Sequence, residues 1–264
     1  MKHFTEEEKI KILSDIIAIK SVNENEIEVA NYLKDLFAEY GIESKIVPVT
    51  NTRVNLVAEI GSGSPVIGIS GHMDVVSPGD VSQWTSDPFT LTERDGKLNG
   101  DDRKNEVLDK LVMSTTIFNA GNQVNSVPEK AVAEINVRTI PEFDNDEVID
   151  LFKTTANKYN QEGSKIDVEV TMSLPSVFTS GQSEMVDLAK ELGKKHLGLE
   201  ISVKGSPGVT DASNLLRDKD DNFPFMMFGP GETKMAHKTD EYVYKDYYFA
   251  FFNIYKELIL ELSK

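Results

Sequence analysis

The sequence predicts an α/β fold with a smaller α+β unit set into it. Three observations carry that prediction. Two amphipathic helical stretches precede several strand-like runs. The apolar run Pro65-Val66-Ile67-Gly68-Ile69-Ser70 ends in Gly71-His72-Met73-Asp74, which puts polar chemistry where an open sheet binds its ligands. After Gly100 the composition shifts to the charge run Asp101-Asp102-Arg103-Lys104-Asn105-Glu106, followed by a strand, turn, strand, helix pattern.

Thr5-Glu6-Glu7-Glu8 has the form of a capping box, and Ile10, Leu13, Ile16 and Ile17 follow at helical spacing. A second helix is predicted from about Asn25 to Tyr40. Ile27, Ala30, Leu33, Leu36 and Phe37 form its apolar face, and Gly41 is its stop. Ser44 to Val49, Val54 to Ile60 and Pro65 to Ser70 then read as strands, with Gly61-Ser62-Gly63 turning between the last two. The stretch from Trp84 to Gly100 reads as a loop. Beyond it the pattern gives a strand from Lys110 to Asn119, a strand from Lys130 to Arg138, a helix from Asn145 to Tyr159 and a strand from Ile166 to Met172. Pro175 marks the exit from this unit. A helix from Ser183 to Leu197, strands at Glu200 to Lys204 and Pro224 to Phe228, and a helix from about Lys245 to Leu262 complete the chain.

Composition excludes several functions. The 264 residues contain no cysteine, so disulfides, a catalytic thiol and Cys-ligated zinc are ruled out. Any metal site must use His, Asp and Glu. A net charge of −16 argues against nucleic-acid or anionic-membrane binding, which needs basic patches. The acidity serves solubility, and can also help attract a divalent cation. No apolar stretch is long enough to span a bilayer, and the charged N-terminal helix leaves no visible signal peptide. A cytoplasmic location is expected.

Residues two apart on an extended chain point to the same side. Asp74 can therefore fix the tautomer of His72 and leave the other ring nitrogen for a metal. The competing reading is a structural His–Asp pair capping a strand. Arg138 can grip a carboxylate bidentately, or pair with Glu134 or Glu142. Asn125 can donate to an oxyanion or serve a turn. Thr210 and Asp211 can contact substrate, or cap a helix starting near Ala212. His3 and His196 read as structural, His196 suiting a helix C-terminus.

In order along nearly the whole chain, the motifs resemble a family of zinc-dependent amidohydrolases and exopeptidases. That family includes succinyl-diaminopimelate desuccinylase, acetylornithine deacetylase, aminoacylase and glutamate carboxypeptidase. Gly71-His72-Met73-Asp74-Val75-Val76-Ser77-Pro78-Gly79-Asp80 with Trp84 and Pro88-Phe89 is similar to its first metal-ligand motif and following loop. Asp95-Gly96-Lys97-Leu98 resembles the segment leading to its second motif. Asn125-Ser126-Val127-Pro128 and Ile135-Asn136-Val137-Arg138 resemble substrate-contacting elements of its lid, and Gly208-Val209-Thr210-Asp211 its loop near the substrate carboxylate. Gly229-Pro230-Gly231 with Met235-Ala236-His237-Lys238 and Glu241 resembles its final metal-ligand motif.

The resemblance, nearest the desuccinylase branch, implies a mixed, mostly parallel sheet flanked by helices and a truncated α+β lid that forms a homodimer. Residues 1–104 and 175–264 would form the catalytic domain and 105–174 the lid. It implies zinc, as one or two ions, or else cobalt or manganese. His72 and His237 would be the metal ligands and Asp74 the catalytic orienter, with Asn125, Arg138, Thr210, Asp211 and Gly229 contacting substrate. The substrate would be an N-acyl amino acid or a short peptide, and the succinyl-specific branch serves amino-acid, in particular lysine, biosynthesis. One block of the pattern is missing. After Asn99-Gly100 the family continues with an Arg-Gly-x-x-Asp motif, whose Asp bridges two metals, and a Glu-Glu pair that supplies the general base. The bridging position would fall near Asn105. Asp101, Asp102 and Glu106 are the nearest carboxylates in sequence. A non-catalytic remnant is therefore the alternative to a desuccinylase, a deacetylase or a dipeptidase.

Overall fold

The computed structural model describes residues 4–22, 25–99, 112–121, 128–139, 143–177, 179–205, 210–220, 222–236 and 238–264. The chain divides into two units. The first comprises Met1–Asn105, Glu184–Ser202 and Met226–Lys264, and the second Glu106–Ser183 and Val203–Phe225.

In the first unit, α1 (Glu6–Ala18) starts at the expected capping box. Thr5 Oγ1 accepts from Glu8 N at 3.1 Å, and Thr5 N donates to Glu8 Oε2 at 2.7 Å, so two N-terminal donors are satisfied reciprocally. Helix α2 (Ile27–Glu39) buries Val29 and Ala30. It packs on the antiparallel pair β1 (Ser44–Pro48) and β2 (Val54–Ala58), where Val54 is buried. Helices α4 (Glu184–Leu197) and α6 (Lys245–Leu262) pack together around Leu192, Phe251, Ile254 and Leu258. Phe228 joins them, its ring centroid 4.9 Å from that of Phe251. His196, at the end of α4, reaches Glu257 at 3.0 Å, and Lys195 Nζ reaches the same carboxylate at 2.6 Å.

Between Trp84 and Gly100 the structure differs from the expected loop. A hairpin of β3 (Thr92–Arg94) and β4 (Lys97–Asn99) turns at Asp95 and Gly96, with φ of 50° and 71°. Asp-Gly suits that turn because both central residues must take positive φ. Strand β4 also pairs with β7 (Tyr242–Tyr244), and Val243 bridges to Gly231. This draws the segment after the glycine-proline turn alongside the hairpin.

In the second unit, β5 (Val112–Ala120) and β6 (Ala131–Arg138) form a long antiparallel pair with an irregularity between Thr115 and Ile117. Helix α3 (Asn145–Gln161) starts at a second capping box, Asp144 with Glu147. Asn145 ties the helix start to the following segment, donating to Ser173 Oγ and to the Leu174 carbonyl, each at 2.9 Å. Helix α5 (Ala212–Leu215) is a single turn.

Four runs expected as strands form no ladder among the described residues: Pro65 to Ser70, Ile166 to Met172, Glu200 to Lys204 and Pro224 to Phe228. Val66 is 87% and Ile69 68% exposed, where a core strand would bury both. Apolar composition favours a strand only when a neighbour supplies the other half of each hydrogen bond. The ladders named here are all antiparallel, and the parallel contact is the isolated bridge Val22 to Val75. No helix among the described residues is long and apolar enough to cross a membrane.

Candidate active site

His72 and Asp74 meet within the first unit. His72 Nδ1 lies 2.8 Å from the Asp74 carbonyl oxygen and 3.3 Å from Asp74 Oδ1. Both acceptors are oxygens, so in the neutral ring Nδ1 carries the proton and Nε2 keeps the lone pair. The side chains are 72% and 41% exposed, so water and solutes reach the pair. Just after it the backbone is pinned, because Val75 N donates to the Ser21 carbonyl at 3.0 Å.

The loop that follows is held by its own polar groups. Asp80 Oδ1 accepts from Ser82 N at 3.0 Å and caps the short turn Val81–Gln83. Trp84 Nε1 donates to the Pro78 carbonyl at 3.0 Å. Lys20 Nζ stands 5.0 Å from the Phe89 ring centroid, within cation–π range. Lys20, Trp84, Asp87 and Phe89 line an open cavity of about 490 Å³ beside this loop.

Asp240 joins the loop to a distant part of the same unit. Its carboxylate accepts from Thr85 N at 3.2 Å and from the Thr85 hydroxyl, and lies 3.7 Å from Arg94 Nη2. Nothing local in the sequence marks these partners, which stand 155 positions apart for Thr85.

The remaining expected site residues fall in different places. Gly229 sits in the first unit, just after Phe228, whose carbonyl accepts from the Tyr255 hydroxyl. Arg138, Thr210 and Asp211 belong to the second unit. Arg138 ends β6 opposite Val112 and is exposed. Thr210 Oγ1 accepts from Ala212 N at 3.3 Å, whereas the Asp211 side chain makes no capping bond to α5. Asn125, His237, Asp101, Asp102 and Glu106 lie outside the described residues.

Histidine with carboxylate and no thiol is a donor set that suits zinc and similar divalent ions. His72 fits one ligand position of such a site, with its tautomer already set. The described residues do not bring three His, Asp or Glu side chains together as a cage.

Comparison with known sequences gives the family. The profile of the Peptidase family M20/M25/M40 matches residues 100–261, more than half of the chain, and that of the Peptidase dimerisation domain matches residues 27–164. The chain belongs to this M20 family of metallohydrolases.

Among its relatives, proteins named "Probable succinyl-diaminopimelate desuccinylase" from Staphylococcus aureus (strain MRSA252) and Staphylococcus epidermidis (strain ATCC 35984) are each 28% identical to it. The first alignment covers 100% of both chains and the second 98% of both. The first runs over 407 positions against 264 residues here, so the relative carries a substantial block that this chain lacks. Among solved structures, the M20 family metallo-carboxypeptidase Sso-CP2 from Sulfolobus solfataricus superposes with a TM-score of 0.78 at 14% identity, covering 95% of this chain and 98% of that one. Aminopeptidase PepT from Bacillus cereus gives 0.71 at 15%, covering 98% and 99%. Both show the fold.

Proposed function

We propose that this chain hydrolyses the amide bond of an N-acyl amino acid, with an N-succinyl amino acid such as succinyl-diaminopimelate as the substrate class. The observation that carries the proposal is the His72–Asp74 pair, which holds one ring nitrogen and leaves the other for a metal. The names of the Staphylococcus relatives support the succinyl class over an acetyl group or a dipeptide.

His72 and His237 would hold the metal, for which zinc is our assignment, with cobalt or manganese able to replace it. Such an ion, when bound, polarises the amide carbonyl and acidifies water. Asp74 keeps the His72 imidazole in the tautomer that can ligate. Arg138 would pair with the substrate carboxylate, with Asn125, Thr210, Asp211 and Gly229 completing the substrate contacts. We assign 1–104 and 175–264 to the catalytic domain and 105–174 to a lid that pairs with a second copy. The location would be the cytoplasm and the process lysine biosynthesis.

A second reading is favoured by one observation. The relatives' extra block, which this chain lacks, fits a remnant that keeps the fold without turnover. One experiment separates the two: amine release from N-succinyl-diaminopimelate with added zinc, before and after EDTA. The proposal requires release that EDTA and His72→Ala both abolish. A protein that binds no zinc and shows no EDTA-sensitive release, from this substrate, its N-acetyl counterpart or a dipeptide, establishes the remnant.

A further inference from the structure

We infer that Asp240 is a positioning residue for the candidate site, a latch that fixes the loop after His72–Asp74 to the β3–β4 hairpin and to the segment entering β7. The inference rests on the reading of His72 and Asp74 given above.

The backbone makes the first argument. Glu241 N donates to the Lys238 carbonyl at 3.0 Å, closing a four-residue turn whose third residue, Asp240, has φ of 61°. Glycine takes that conformation without cost, and aspartate only with some strain. Aspartate is among the few residues that tolerate such a turn position, so the turn admits it, and what sets Asp240 apart is what its carboxylate binds. It binds the Thr85 backbone N–H, the Thr85 hydroxyl and the Arg94 guanidinium.

The second argument is where these partners sit. Thr85 directly follows Trp84, whose indole is bonded back to Pro78. Arg94 lies in β3, and β4 of the same hairpin pairs with β7 two residues beyond Asp240. One half-buried carboxylate thus joins the segment entering β7 to a loop and a hairpin about 150 positions earlier in the chain. A charge-assisted hydrogen bond to a backbone N–H fixes a loop more firmly than the part-exposed ion pair does. Asp240 also stands three residues after His237 in sequence, so the latch belongs to the segment that carries the second expected ligand.

The test uses two variants of the full chain. Asp240→Gly keeps the turn and removes the carboxylate, and Thr85→Val keeps the side-chain shape and removes the hydroxyl donor. Trp84 is the only tryptophan, so its acrylamide quenching reports this loop alone. Nitrogen-15 spectra of the four imidazoles report His72, with His196, held by Glu257, as an internal control. Each variant should raise Trp84 quenching about twofold, as a locally opened loop does, and shift the His72 signals while His196 stays put. Quenching equal to the parent in both variants overturns the latch. Movement of His196 together with His72 overturns it too, since that marks general loosening. These readouts need neither metal nor substrate. If the parent binds no zinc and releases no amine, the proposed function fails while the latch is still decided.

Discussion

Replacing Asp74 by asparagine probes the candidate site most directly, and its magnitude follows from two distances. The Nδ1 proton of His72 faces the Asp74 carbonyl at 2.8 Å and the carboxylate at 3.3 Å. Asparagine removes the carboxylate charge and leaves the carbonyl, the shorter partner, in place. Loss of an outer-shell partner of a metal-bound histidine costs about 10–100-fold in metal affinity. The tautomer survives here and the pair is largely exposed, so Asp74→Asn belongs at the weak end. The expected loss is about tenfold, or about 1.4 kcal/mol. His72→Ala removes the donor itself and should abolish binding to the same site. Calorimetric zinc titration of parent, Asp74→Asn and His72→Ala at one pH measures all three. Unchanged zinc affinity in His72→Ala would refute the ligand assignment. A loss well above a hundredfold in Asp74→Asn would refute the claim that the carbonyl holds the tautomer.

Two further predictions concern the scaffold. Ile254 is fully buried between Leu192, Phe251 and Leu258, so Ile254→Ala should cost about 2–5 kcal/mol in urea unfolding. A loss below about 1 kcal/mol would mean that the α4–α6 contact is not a packed core. The Glu257 carboxyl is held below its ordinary value of 4.5, first by the Lys195 hydrogen bond and then by that of His196. A depressed folded-state pKa gives stability that is present above the unfolded value and lost as pH falls through the folded one. Glu257→Gln should therefore flatten the acid limb of the stability curve below pH 4.5, and an acid limb as steep as the parent's would refute this.

The elements that the sequence predicts well are those specified by neighbours along the chain. The Thr5–Glu8 box and the long apolar face of α6 act within one or two helical turns, and both helices form where their residues say. Strands need a partner from elsewhere. Pro65 to Ser70 has the apolar run of a buried strand, yet among the described residues nothing pairs with it. The β3–β4 hairpin shows the opposite error. Its Asp95-Gly96 turn is a local signal, but the three-residue strands around it are too short to show a period. At the site, the two-residue spacing of His72 and Asp74 is readable as a pair. That the backbone carbonyl is the nearer acceptor is not, because it depends on how the chain bends between them.

The placement of the pair then rests on few contacts. A core strand would hold His72 through a ladder on both edges, and here the segment before it is exposed. Among the described residues, the backbone is pinned immediately after the pair by the Val75 to Ser21 hydrogen bond and the Val22–Val75 bridge. Beyond that come the Asp80 cap, the Trp84–Pro78 bond and the Asp240 latch along the following loop. Metal affinity requires ligands held to within about half an ångström. Where the ladder is missing, that precision has to come from loop contacts, so disruption of Asp240 should be felt at His72 although the two residues are 168 positions apart in sequence. The same reasoning separates the residues of the site by vulnerability. His72 and Asp74 set the chemistry of the nitrogen, whereas Ser21, Thr85 and Asp240 set where that nitrogen stands.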